Sequence, residues 1–172
     1  RVAESIQTKF EEAKVQGLPC TFSIKVLTFA YWPQIKPDDA FVSPDSLRQC
    51  QDGFERYYRR SNPTKQLKWQ AERGSAVLDI AFPKGTKEVN MNIHQAAVMI
   101  QIDAGALLPD GGSSTQTVSA ISNATGIEIA EIKPLIASMM LAKGLNLVRV
   151  HGKGIDPKFD QNSCIEMNPD FA

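Results

Sequence analysis

The residue pattern predicts an α+β chain in which a small antiparallel sheet with packed helices is followed by a winged-helix-like three-helix unit with a β-hairpin. Three observations carry this prediction. Runs of β-forming residues with period-two alternation fall at 22–31, 75–82 and 88–91. A proline-led helix start at Ser43-Pro44-Asp45 opens an amphipathic stretch between the first two of these runs. Beyond residue 93 the order changes to three apolar helical stretches and then two short strands joined by a glycine-rich turn.

In chain order, Val2, Ile6, Phe10 and Ala13 lie on one helical stripe, which Gly17 and Pro19 end. Phe22, Ile24, Val26 and Thr28 alternate with Leu27 and Phe29 on the other face, as in a strand covered on both sides, and Trp32-Pro33 closes it because proline cannot donate to a ladder. Ser43 is the expected N-cap of the next helix, Pro44 its first residue, and Asp45 an anion at the positive end of the dipole. Leu47, Cys50, Phe54, Tyr57 and Tyr58 recur at helical spacing to about Arg60, and Asn62-Pro63 stops the helix.

Strands are then expected at Gln66 to Gln70, Ser75 to Phe82 and Glu88 to Met91, the last two joined by the turn Pro83-Lys84-Gly85-Thr86. His94 to Ile102 reads as an apolar helix and Asp103 to Ser114 as a loop. Thr115 is the expected cap of a helix that ends at Gly126. The third helix carries Ile132, Ile136, Met139 and Met140 inward, and its regular part is placed from Glu131 because Pro134 is tolerated only near a helix start. Leu145 to Val150, the turn His151-Gly152-Lys153-Gly154, and Ser163 to Met167 complete a hairpin. The expected division is 1–17 as the end of a preceding helical bundle, 18–92 as an α/β sheet module and 93–172 as the winged-helix-like module.

A chain of 172 residues can bury a real core without a metal or disulfide framework. Nineteen cations balance nineteen anions, whereas a protein that grips phosphate backbones needs a cation surplus. Three cysteines, Cys20, Cys50 and Cys164, form neither a disulfide ladder nor a metal knuckle, so they read as small buried hydrophobes in a reducing compartment. No apolar run of about 18 residues exists and no secretory leader is legible, so a cytoplasmic and/or nuclear protein without membrane contact is expected. A first residue of Arg1, with helical pattern from the start, suggests a piece of a longer parent.

Catalytic chemistry is not expected. His94 and His151 lie in no nucleophile or metal-binding context, and Gly111-Gly112 lacks the following Lys-Ser or Lys-Thr of a phosphate loop. His94 reads as a structural cap or core residue. The third helix of the winged unit carries Glu128, Glu131, Lys133 and Lys143, too few cations in its middle for major-groove reading. The hairpin, with Arg149, His151, Lys153 and Lys158, is mildly basic, as solvated hairpins often are.

The stretches FSIKVLTFAYWP (22–33), FERYYRRSNPTKQLKW (54–69), HQAAVMI (94–100) and ATGIEIAEI (124–132) together resemble the cullin homology domain. The motifs occur in the family's order, the spacing from Phe54 to Trp69 matches without a gap, and the resemblance covers nearly the whole chain. Thr64-Lys65-Gln66-Leu67 departs from the family's glycine-arginine-lysine-leucine, Pro134 stands where helix formers are usual, and the Gly111-Gly112 loop looks like an insertion, so the chain resembles a divergent member.

The resemblance implies a non-catalytic scaffold fragment of a cullin-RING E3 ubiquitin ligase. Its sheet would accept a strand of a RING-box protein, which recruits a ubiquitin-conjugating enzyme, and would so support ubiquitin transfer to substrates. Carried over residue by residue, it implies partner contact at Ile24, Val26, Thr28, Leu67, Trp69 and Leu78, with neither metal nor cofactor. Each of these six is also readable as intradomain core, and for Trp69, as for Trp32, that reading weighs at least as much as partner contact. The lysine that receives a ubiquitin-like modifier in the family is expected in a later winged-helix segment, so no modification site is assigned. Two other readings are a cullin-like subunit of the anaphase-promoting complex, which shares some of these motifs, and a winged-helix DNA-binding module. The Phe54 to Tyr58 pattern and the Thr125-Gly126-Ile127 segment favour an ordinary cullin.

Overall fold

The computed structural model describes residues 18–26, 40–107, 114–141 and 146–171. The helix expected over 1–15, the part of the strand expected beyond Val26, and the Gly111-Gly112 loop lie outside the described residues, and the described part of that strand, 22–26, is corrected: among the described residues it joins no ladder. Those described are organised as two compact units, one built from 18–26 and 43–69, the other from 40–42 and the residues from Gln70 onward. The α+β class is borne out: four helices and two small antiparallel sheets are present among the described residues.

Helix α1 of the first unit spans Asp45–Ser61. Its first internal bond runs from the Arg48 N–H to the Pro44 carbonyl, which makes Pro44 the cap and Asp45 the first helical residue, one position later than expected. Ser43 makes no capping bond, so the start rests on proline geometry and the Asp45 charge at the dipole's positive end. At the other end, the Asn62 N–H donates to the Tyr58 carbonyl, as the Asn-Pro stop predicts. The strand expected at Gln66 to Gln70 is corrected: among the described residues this segment joins no ladder, although the burial of 66–69 alternates as in a strand.

From Gln70 on, the second unit continues with a 3-10 turn at Ala71–Arg73, followed by β1 (Ser75–Phe82) and β2 (Gly85–Asn92), a two-stranded antiparallel sheet. Phe82 pairs with Gly85 across a two-residue turn, so β2 is longer than expected. Gly85 takes φ of 128°, a conformation costly to any residue with a Cβ. Ile80 and Phe82 on β1, with Val89 and Met91 on β2, point to one face and enter the core.

Helix α2 (Ile93–Asp103) starts in a capping box. The Gln95 N–H donates to Asn92 Oδ1 at 2.7 Å and the Asn92 N–H to Gln95 Oε1 at 3.1 Å. Asn92 is thus the cap, while His94 packs on Phe41 with ring centroids 4.7 Å apart and planes tilted by 48°. Strand β3 (Ala106–Leu107) pairs with β4 (Ser114–Thr117), within the span expected as loop and helix cap. Thr115 sits in β4 opposite Glu166, and Thr117 is the real cap of α3 (Val118–Thr125), its hydroxyl accepting from the Ala120 N–H. Gly126 ends α3 in the left-handed region, as expected.

Helix α4 spans Ile129–Leu141, two residues earlier than placed, and continues through Pro134. Ile132, Ile136, Met139 and Met140 are buried along it, so core packing holds the helix across the missing proline donor. Strands β5 (Val148–Val150) and β6 (Cys164–Met167) complete a four-stranded sheet of order β3-β4-β6-β5. The succession α2, β4, α3, α4, β5, β6, with β4 and β5 flanking β6, is the winged-helix-like arrangement. No helix among the described residues is long and apolar enough to cross a membrane.

Candidate functional site

The first unit is built on Phe54. Its position in α1 follows from spacing: Cys50, Phe54 and Tyr58 succeed each other every four residues, stack on one face and are all buried. The Phe54 ring lies 5.8 Å from Tyr58, 6.2 Å from Tyr57 and 6.1 Å from Trp69, the last an edge-on contact at 67°. Phe22 extends the group to Trp69 at 6.3 Å. Such ring pairs contribute about 0.5–1.5 kcal/mol each beyond the area they bury.

Two chain segments cover this aromatic face. In the first, Phe22, Ile24 and Val26 pack on the cluster while Thr21, Ser23 and Lys25 are exposed. In the second, Leu67 and Trp69 pack inward while Gln66 and Lys68 are exposed. Both therefore show the period of two that belongs to extended chain. Among the described residues, the main-chain N–H and carbonyl groups of 66–69 make no hydrogen bond. Beside them, Glu55, Arg59, Pro63, Lys65, Gln66 and Leu67 line a groove of about 560 Å3, with Arg59 and Glu55 in an ion pair at 2.6 Å.

Of the six residues singled out in the sequence, four come together here: Ile24, Val26, Leu67 and Trp69. Thr28 lies outside the described residues. Leu78 sits on β1 in the second unit, half-buried against that unit's core. The sequence reading missed that Phe54, Tyr57 and Tyr58 form the platform beneath these segments, although their helical recurrence was the available signal.

The cysteines also need correction. Cys50 is fully buried, but Cys164 is only half-buried and Cys20 is exposed, the Cys20 Sγ standing 3.5 Å from Cys50 Sγ. Burial first, and then the Cys20 hydrogen bond and charge, push the Cys50 thiol up to about 11. No local sequence signal brings together two residues 30 apart. Among the described residues, no group of three or more His, Cys, Asp or Glu is placed to hold a metal ion.

In the second unit, polar chemistry gathers on the hairpin. Glu166 is buried on β6, accepts from Arg149 Nε at 2.6 Å and lies 2.9 Å from His151 Nδ1. Arg149 also reaches Asp170 at 3.2 Å. Arg149 and Glu166 are register partners across β5 and β6, so the sheet itself places cation against anion.

Comparison with known proteins adds to this geometry. The model of the cullin alpha+beta domain matches residues 26–171. Human Cullin-4A is 29% identical over 131 residues, which are 76% of this chain and 16% of that protein. Cullin-4 of Schizosaccharomyces pombe is 27% identical over 143 residues, 78% of this chain and 19% of its own length. Cullin-2 of Arabidopsis thaliana is 31% identical over 103 residues, 58% of this chain and 14% of that protein. The chain thus spans between about one seventh and one fifth of the length of these relatives. With the family model matching most of its residues in order, the chain belongs to the cullin family, as a divergent form of its alpha+beta domain.

Proposed function

We propose that this chain is a non-catalytic scaffold portion of a cullin-RING ubiquitin ligase, acting in the cytoplasm and/or nucleus, which binds a RING-box protein and so supports ubiquitin transfer to substrates. The observation that carries the reading is the segment 66–69: side chains alternate onto the Phe54 cluster while the backbone makes no hydrogen bond among the described residues. A segment of this kind suits strand addition, in which a guest strand supplies the main-chain partners and apolar side chains supply burial. Ile24, Val26, Leu67 and Trp69 lie on the same cluster and form the hydrophobic part of the proposed surface. Duplex DNA is not part of the proposal, since α4 carries Lys133 as its one cation among the described residues.

Co-expression with a RING-box protein tests the reading. The expected result is a co-purifying complex that is lost with Leu67→Asp or Val26→Asp while the circular dichroism of the chain is unchanged. Absence of co-purification, or a complex indifferent to both substitutions, refutes the proposed mode.

A further inference from the structure

Cys20 and Cys50 differ in their access to solvent. Cys20 follows Pro19 on an exposed bend, open to reagents in solution. Cys50 is fully buried in the second turn of α1. Their sulfurs already face each other at 3.5 Å, so forming a bond of about 2.0 Å needs roughly 1.5 Å of closure. The third thiol, Cys164, lies on β6 in the other compact unit.

We propose that Cys20 and Cys50 are a thiol pair that exchanges with a small-molecule disulfide of the glutathione type to close a reversible Cys20–Cys50 disulfide. The inference is independent of the RING-box reading. In the first step the Cys20 thiolate attacks one sulfur of the reagent, forming a mixed disulfide and expelling one glutathione thiolate, which takes up a proton. In the second, Cys50 gives up its proton and attacks Cys20 Sγ, expelling the second glutathione. The two protein thiols are oxidised, the reagent is reduced to two thiols, and no other oxidant is needed.

The exposed partner therefore receives the reagent and the buried one resolves it. Because burial pushes the Cys50 thiol up, little of it is thiolate near neutral pH, and the resolving step speeds up as pH rises into the mildly alkaline range. Closure joins residues 30 apart, tying the segment that bears Phe22, Ile24 and Val26 to α1, and raises the melting temperature by roughly 5–10 °C.

The test equilibrates the chain in buffers of graded reduced to oxidised glutathione at about pH 8, quenches with acid, and reads intact mass and non-reduced tryptic peptides. The expected product is about 2 Da lighter than the reduced chain. It yields residues 15–25 linked to 49–56. The link is lost in Cys20→Ser and kept in Cys164→Ser. Two results overturn the proposal: Cys20 halting as the mixed disulfide even at about pH 9, or disulfides containing Cys164 outnumbering the Cys20–Cys50 link. Cys20→Ser alters an exposed position and so separates the chemistry from any folding defect of a Cys50 variant.

Discussion

Glu166 is 2% exposed, and two cationic or potentially cationic side chains converge on it. A carboxylate in that position costs several kcal/mol of lost hydration unless it is paired. Arg149 is the main partner, and at 30% side-chain exposure it remains in touch with water, which lowers the effective strength of the pair. Arg149→Met removes the main cation from the buried carboxylate, with His151 still beside it, and is expected to lower unfolding free energy by about 2 kcal/mol, below the range for fully buried pairs. Asp170, at 81% exposure, is worth little to Arg149, and Asp170→Asn is expected to change stability by less than about 0.5 kcal/mol. Urea denaturation of both variants distinguishes them, and equal losses would refute the assignment. Asp160 titrates below the ordinary aspartate value, first because the Ser163 hydroxyl donates to its carboxylate and next because the Asn162 N–H does. The folded-state value is depressed, so the stabilisation is present above the ordinary value and disappears as pH falls through the folded-state one. Ser163→Ala is expected to move the Asp160 midpoint upward in a carboxyl NMR titration; an unmoved midpoint rejects the hydroxyl as the main cause.

At the level of elements, α2 and α4 show how end chemistry and packing divide the work. The reciprocal Asn92 and Gln95 bonds satisfy two donors at the start of α2, and Gln95 additionally donates to Ser138 on α4 at 3.0 Å. Asn92→Ala is expected to cost about 1 kcal/mol, measured by chemical denaturation. Gly126 is less replaceable: its φ is 70°, and a Cβ there would run into the Ala40 carbonyl. Helix existence was legible wherever apolar spacing was regular, and the α1 and α3 stops were legible from Asn62-Pro63 and Gly126. The capping box was equally present as Asn-x-x-Gln but is quiet beside a strongly apolar helix. Strand β4 was not legible, because Ser-Thr-Gln-Thr has no apolar alternation; its place is set by pairing with β6, 51 residues away in sequence at Thr115 and Glu166. The start of α4 was misplaced for the opposite reason, since proline chemistry argued for a later start while four buried side chains held the helix through it. For the candidate site, the family resemblance pointed to Ile24, Val26, Leu67 and Trp69, but the cluster that gathers them is a tertiary contact without a local pattern.

On the scale of the whole chain, the described residues hold two separate hydrophobic clusters. One is centred on Phe54 and Tyr58; the other runs from Ile80 through α2, α3 and α4 to Ile165 and Phe171. Residues sharing no packing partners contribute to stability almost additively, so damage to one cluster should leave local stability in the other nearly unchanged. Residues 70–172 contain neither tryptophan nor tyrosine, so intrinsic fluorescence is blind to the larger cluster. Trp69, by contrast, lies 6.1 Å from the Phe54 ring and reports on the smaller one directly. Phe54→Ala removes a side chain with no solvent exposure and is expected to cost about 3–5 kcal/mol in the fluorescence-detected urea transition. Amide exchange of the strands Val148–Val150 and Cys164–Met167 should then shift by less than about 0.5 kcal/mol at low denaturant. If those amides lose as much protection as fluorescence loses stability, the two clusters open together; if only fluorescence moves, the Phe54 cluster can be weakened while the winged-helix-like core stays folded.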